Sequence, residues 1–224
     1  MFKRQLLHYI ALALLLGGVF AMSGGYMVYG RFLGVPTFIW LAIAIATPIM
    51  HQFYVWACWR SELYHNAISR TFGEAGFYFY AVGFAVLFGL RLLAIIALAL
   101  SNRGTLPIDF HTGAAIGAVL ALPSLYLIYS VLRYFGLKRA FGIDHFDAHY
   151  REVPFVKQGI FRFSNNAMYI YGFLILWIPG FFLQSVSALM VATFSHIYIW
   201  VHYYCTELPD IRVIYGNKKI EEKP

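Results

Sequence analysis

From Met168 to Cys205 the chain reads MYIYGFLILWIPGFFLQSVSALMVATFSHIYIWVHYYC, 38 residues without one Asp, Glu, Lys or Arg. As a single helix the run would be about 57 Å long at about 1.5 Å per residue, nearly twice the ~30 Å hydrocarbon core of a bilayer. Near its middle stands Ile178-Pro179-Gly180. Proline lacks the N–H that continues a helix, and glycine permits a turn. The run therefore predicts two short helices in a hairpin, broken at residues 178–180.

Four further apolar runs precede it: Leu6–Tyr29, Val35–Trp59, Phe77–Leu100 and Thr112–Phe135. Each is long enough to cross a bilayer. A polar stretch, Arg60–Gly76, separates the second from the third, and a short loop, Ser101–Phe110, separates the third from the fourth. The expected fold is all-α: a polytopic integral membrane helical bundle with a C-terminal hairpin and a cytoplasmic tail. The count is six spans, or five if the first helix or one hairpin arm does not cross. Lys3-Arg4 before an apolar run also fits a secretory signal peptide. The run is long for one, and Tyr26 and Tyr29 suit an interface anchor, so an uncleaved span is expected.

Composition agrees. Of 224 residues 61% are apolar and 12% charged, with a mean hydropathy of +0.66. A soluble domain carries roughly twice that charged fraction. A short chain has too little interior to hide the excess. Soluble enzyme, disordered tail and nucleic-acid module are poor readings. The net charge of +7 follows from orientation instead. In a six-span model fourteen of the seventeen Lys and Arg residues fall on one side, in the N-terminus, the 60–76 loop, the 136–167 segment and the tail. Arg31 and Arg103 fall on the other side, and Arg91 lies within the third span. That asymmetry predicts cytoplasmic termini and suits contact with anionic lipid headgroups; if the chain is bacterial, the membrane is the plasma (inner) membrane. Cys58 and Cys205 make neither a disulfide framework nor a zinc spacing. No internal repeat divides the chain, so residues 1–224 read as one membrane domain, with four spans in 1–133 and the richest chemistry in 134–216.

Glu207 ends the last span, in YCTELPD from Tyr204 to Asp210. A carboxylate there is either a solvated helix end or the holder of a cationic group of a ligand. Before the hairpin stands GIFRFSNNAMY, Gly159–Tyr169. Gly159 lets backbone amides approach a ligand, and Asn165 or Asn166 caps a helix; two asparagines are more than a cap needs. DHFDAH, from Asp144 to His149, is a single His-rich string, and a solvated amphipathic segment explains it better than a metal site does. No metal is expected. Arg91 snorkels to the far headgroups, or it pairs with a lipid phosphate or a carbonyl.

The last third of the chain resembles the membrane methyltransferases related to phosphatidylethanolamine N-methyltransferase and isoprenylcysteine carboxyl methyltransferase. That superfamily carries a block similar to G-x-[YF]-R-[YF]-x-[RN]-[HN]-P-M-Y, then a helical hairpin, then E-x-P-x-[LI]-x-x-x-[FY]-G. Here the second block is ELPDIRVIYG, Glu207–Gly216, and YFGLKRA, Tyr134–Ala140, resembles the phospholipid branch. Ala167 stands where the pattern has Pro, and Asn165-Asn166 where an Arg-His pair is common; Leu208 follows Glu207 where a second acid is frequent. The resemblance implies S-adenosylmethionine as cofactor, with Gly159, Phe161, Asn166, Tyr169 and Glu207 as its contacts. It implies a lipophilic methyl acceptor, most simply a phospholipid amine. An isoprenylcysteine carboxylate or a small thiol is the enzymatic alternative, and a membrane scaffold or a heme- or quinone-binding subunit the non-enzymatic one. His202 and His149 are the candidate bases.

Overall fold

The computed structural model describes residues 2–221. The side chains of Tyr26, Lys218 and Lys219, and Lys223 altogether, lie outside the described residues. The chain forms α1 (Gln5–Met22), a two-residue-strand hairpin β1 (Arg31–Phe32) and β2 (Val35–Pro36), α2 (Thr37–His65), α3 (Ala67–Phe72), α4 (Gly76–Ser101) and α5 (Phe110–Ser130). There follow α6 (Leu137–Ala140), α7 (Ile178–Phe182), α8 (Val186–His202) and α9 (Leu208–Glu221). α1, α2, the α3–α4 unit and α5 with its continuation to Phe135 are long and apolar enough to cross a membrane. The protein is an all-α polytopic bundle, as the apolar runs predict.

Local chemistry sets the boundaries. Asp109 caps α5 by accepting the Thr112 N–H at 3.0 Å, and Ser185 caps α8 by accepting from Ala188 at 3.2 Å. α2 runs to His65, past the expected Trp59, and stops at Asn66 in the left-handed conformation that asparagine tolerates. Its last turns carry Arg60 into the protein instead of into a loop.

The hairpin turns later than expected. Pro179 does not break it; proline sits in the first turn of α7, where its missing N–H has no intrahelical partner to lose. Reversal comes at Leu183–Ser185, with Gln184 at φ 54°. Gly180 serves close approach rather than turning, since a Cβ there would lie 2.6 Å from Leu189 Cδ2 in the returning arm. The first arm is irregular, with a π-turn at Met168–Gly172 and a 3-10 turn at Phe173–Leu176.

Hydrogen bonds fix which loops share an end. Gly104 N–H donates to Leu183 O at 3.1 Å, Leu106 N–H to Gln184 O at 2.8 Å, and the Asn102 amide to Tyr29 O at 3.1 Å. The hairpin tip thus lies with the 101–109 and 23–36 loops, and both arms run toward it from the opposite end. At that opposite end Arg4 donates to Tyr204 O and Gln5 to Cys205 O, so the N-terminus docks on the start of the tail.

Packing falls into three clusters. Leu41, Ala44, Ala94, Leu98, Ala188 and Ala192 join α2, α4 and α8, where alanines let the backbones approach. Val55, Trp59, Phe77, Tyr80 and Ile143 lie nearer the termini, and Leu127, Ile160, Phe161 and Ala167 hold the 159–167 strap to α5. Residues of all three also line one internal cavity.

Candidate functional site

The cavity has a volume of about 460 Å³ and takes residues from His51 on α2 to Tyr215 on α9. That size suits a small organic ligand, whose pockets run from about 300 to 1,000 Å³. Its floor is mostly aromatic: Trp59, Phe84, Phe88, Phe135, Phe161, Tyr169 and Phe173. π-turns at Val131–Phe135, Met168–Gly172 and Tyr203–Glu207 each send residues to its wall. Such turns widen a helix locally and gather at functional sites.

The 159–169 strap reaches the cavity because Gly159 lets it lie against α5. At φ 60° Gly159 is left-handed, and a Cβ would come 2.6 Å from Ser130 Oγ. That hydroxyl accepts the Ile160 N–H at 3.1 Å and donates to Tyr126 O at 2.7 Å. Phe161 then stacks on Phe135, centroids 4.9 Å apart, and faces the cavity. Asn166 opens the next turn, its carbonyl accepting from Tyr169 and Ile170 at 3.0 Å each. Tyr169 packs edge-on against Trp200 and Tyr203 at 5.8 and 5.6 Å.

Phe161, Asn166, Tyr169, Glu207 and His202 all line the cavity, although 46 residues separate the first from Glu207. Gly159 does not line it and acts through the strap. His149 is exposed, on a 3-10 turn capped by Asp147, and stands away from the cavity wall. His202 is buried, and neither ring nitrogen has a hydrogen-bond partner. The DHFDAH string disperses: Asp144 accepts from the Tyr215 hydroxyl, His145 turns inward and His149 outward. Among the described residues no group of three His, Cys, Asp or Glu side chains could hold a metal ion.

Several wall residues carry no motif in the sequence. Beside the cavity Arg60 donates through Nε to both Asp210 oxygens, at 3.1 and 3.3 Å, and through its other nitrogens to Lys3 O and Cys205 O, each at 3.0 Å. This pair ties α2 to the N-terminus and the tail. His145 stacks on Trp59 with centroids 4.2 Å apart, and its Nε2 lies 3.9 Å from Asp210 Oδ2. Burial raises the Asp210 carboxyl to about 6, against the pull of Arg60. Burial also lowers the His145 imidazole to about 4, the Asp144 carboxylate opposing it only in part, so the ring is neutral at pH 7. Arg91 does not snorkel to the headgroups: it is buried and lines the inner end of the cavity.

Comparison with curated proteins and with solved structures finds no match. A family model does match, over residues 112–218, from the first turn of α5 through the strap, the hairpin and the tail. That segment, which holds the strap and every cavity residue proposed from the sequence, is similar to the phospholipid methyltransferase family.

Proposed function

We propose that the protein transfers a methyl group from S-adenosylmethionine to the amine of a membrane phospholipid, such as phosphatidylethanolamine or its monomethyl form. Similarity to that family supports the coarser statement, methyl transfer to a membrane substrate. The observation that carries the finer one is a single cavity with Phe161, Asn166, Tyr169, Glu207 and His202 on its wall. That wall also reaches the lipid-facing surface, at Phe88 and Ile128, which are 42% and 44% exposed.

The residues suit the cofactor. Its α-amino group calls for a carboxylate, which Glu207 supplies, and its carboxylate calls for donors, which the amides of Asn165 and Asn166 supply. Its sulfonium tolerates the aromatic faces of Phe161 and Tyr169. When bound it supplies an already activated methyl group. What remains for the chain is alignment, exclusion of water and removal of a proton from the headgroup ammonium. His202 is the residue placed for that proton, since both its ring nitrogens lack protein partners and it lines the cavity.

The chain acts as one membrane domain, because α2 and α4 of the N-terminal spans supply walls to a site centred on residues 134–216. Its termini and the 136–167 segment face the cytoplasm, a reading supported by the Lys and Arg asymmetry and by the docking of Arg4 and Gln5 on the tail. Cysteines introduced at the exposed positions Arg162 and Arg103 should label from opposite sides of the membrane. Labelling from one side defeats this topology.

The functional test offers labelled cofactor to detergent-purified protein with mixed phospholipids, an isoprenylated cysteine analogue and small thiols. Label in methylated phosphatidylethanolamine is expected. Label confined to a methyl ester or a thioether defeats the acceptor assignment and leaves methyl transfer intact. Failure to bind the cofactor by calorimetry, with or without chelator, returns the protein to a scaffold role.

A further inference from the structure

Among the described residues the inner end of the cavity holds a cation without an anion. Arg91 is 4% exposed and lines the cavity. Its one hydrogen bond among the described residues, from a terminal nitrogen to Ser195 O, is long at 3.4 Å, and its Nε has no partner among them. The guanidinium carbon lies 4.7 Å from the Phe173 ring centroid. A cation–π contact recovers only part of what a buried charge loses on leaving water. The ion pair of Arg60 with Asp210 lies elsewhere, at the terminal end of the bundle. Beside Arg91 on the same wall is His51, also 4% exposed, with neither ring nitrogen hydrogen-bonded and its ring against the edge of Phe84 at 4.5 Å.

Helix rise gives the level of this end. Arg91 lies about 22 Å along α4 from Gly76, and His51 about 21 Å along α2 from His65, at about 1.5 Å per residue. Ser195, which Arg91 touches, is about 18 Å along the helix from Glu207 by the same rise. The cofactor's amino and carboxylate groups sit on one carbon. If Glu207 holds the amino group, the carboxylate stays at that end and does not reach Arg91. The anion for Arg91 comes from a different ligand. Phe88, where the cavity meets the lipid-facing surface, is one helical turn from Arg91 on the same face of α4.

We propose that Arg91 and His51 form an oxyanion site that binds the phosphodiester of the phospholipid methyl acceptor, entering past Phe88 with its tails left in the bilayer. The inference rests on the phospholipid reading above and names the groups that select the substrate. Arg91 pairs with the phosphate, and one His51 ring N–H donates to it. The amine, two carbons from the phosphate oxygen, then points back along the cavity toward His202. A lipophilic amine without a phosphate lacks this anchor.

The test measures binding, without turnover, to the full-length protein in detergent micelles. Probes are phosphatidylethanolamine, a long-chain alkylamine lacking phosphate, inorganic phosphate and S-adenosylmethionine, each against wild type, Arg91→Met and Arg91→Lys. Arg91→Met should weaken phosphatidylethanolamine binding about 10- to 150-fold, the range of one charge-assisted contact. It should leave the alkylamine and the cofactor within about 2-fold. Arg91→Lys should retain part of the preference. Because the substitution removes an uncompensated buried charge, the thermal midpoint of Arg91→Met without lipid should be equal or higher. Unchanged phosphatidylethanolamine affinity in folded Arg91→Met overturns the proposal, as does equal loss for both amines. Loss of cofactor affinity instead assigns Arg91 to the cofactor carboxylate. Inorganic phosphate that binds as tightly as the lipid moves the site from a headgroup to the free ion. These outcomes are read from lipid binding, so they stand apart from any failure of methyl transfer itself.

Discussion

Two arginines are buried in this bundle, and they meet opposite surroundings. Arg60, 1% exposed, finds the Asp210 carboxylate at 3.1 Å and the carbonyls of Lys3, Cys205 and Thr206. Arg91, 4% exposed, finds one distant carbonyl and a phenyl ring. Both were taken out of water at a similar cost, but only Arg60 is compensated inside the chain. A buried ion with a complete partner set holds structure together; one without it leaves room for a ligand's charge. The terminal end of the cavity is therefore built as a latch, and the inner end as a receptor.

The largest expected effect tests the latch. Asp210→Ala leaves the Arg60 guanidinium buried without its carboxylate and should cost about 3–5 kcal/mol. In detergent this should appear as a steep fall in thermal midpoint and in folded yield. Arg60→Met combined with Asp210→Leu should recover most of it, because a volume-matched apolar pair replaces an ion pair with little loss. Arg91→Met, by contrast, should not destabilise. If both arginines behave alike, the distinction between latch and receptor fails.

Glu207→Gln comes next. It keeps the shape of the side chain and removes the charge offered to the cofactor's ammonium, so affinity should fall by about 10- to 150-fold with little change in thermal midpoint. Unchanged affinity in a well-folded variant makes Glu207 a solvated helix end. Smaller again is Gly159→Ala. Its new Cβ, 2.6 Å from Ser130 Oγ at a backbone φ of 60°, should cost about 1–3 kcal/mol. Adding Ser130→Ala should not rescue it, because the new Cβ still lies 2.9 Å from Tyr134 Cδ2 and 3.0 Å from Ser130 Cβ, and the buried Ile160 N–H loses its acceptor.

The latch and the receptor were unequally legible in the sequence. Runs of apolar residues located the four long helices, though α1 ends at Met22 instead of Tyr29 and α2 at His65 instead of Trp59, and the two family-like blocks brought Phe161, Asn166, Tyr169 and Glu207 to one wall. Arg60 read as a loop charge, because nothing local shows that α2 continues to His65 or that its partner stands 150 residues later. His145 read as part of a solvated string, and the indole of Trp59 that buries it comes from another helix. The sequence places Arg91 in depth but not in rotation. α4 is apolar on all sides, so it carries no stripe to say which face turns inward. Pro179 and Gly180 mark the hairpin in the sequence, but their tasks, starting α7 and admitting Leu189 of the returning arm, show only once both arms are packed.

The smallest expected effect is a pH dependence within the latch, where two shifts oppose each other. Asp210 titrates near 6 in the folded protein, above its unfolded value near 3.8. Its contribution to stability is complete below pH 3.8 and is lost as pH rises through 6. His145 titrates near 4, below its unfolded value of 6.5. Its contribution is complete above pH 6.5 and is lost as pH falls through 4. Between pH 4 and 6 the two slopes nearly cancel, so the wild-type thermal midpoint should change little there from this pair. Each single variant uncovers the other group. In Asp210→Asn the midpoint should rise as pH is raised from 4 to 6.5, through His145 alone. In His145→Phe it should fall from 4 to 6, through Asp210 alone. Arg60, Asp144 and Arg151 face the same groups in both variants, so they enter the two slopes alike. Parallel slopes in the two variants would mean that Asp210 and His145 are not both buried against Trp59 and Arg60. The terminal end would then be no more compensated than the inner one.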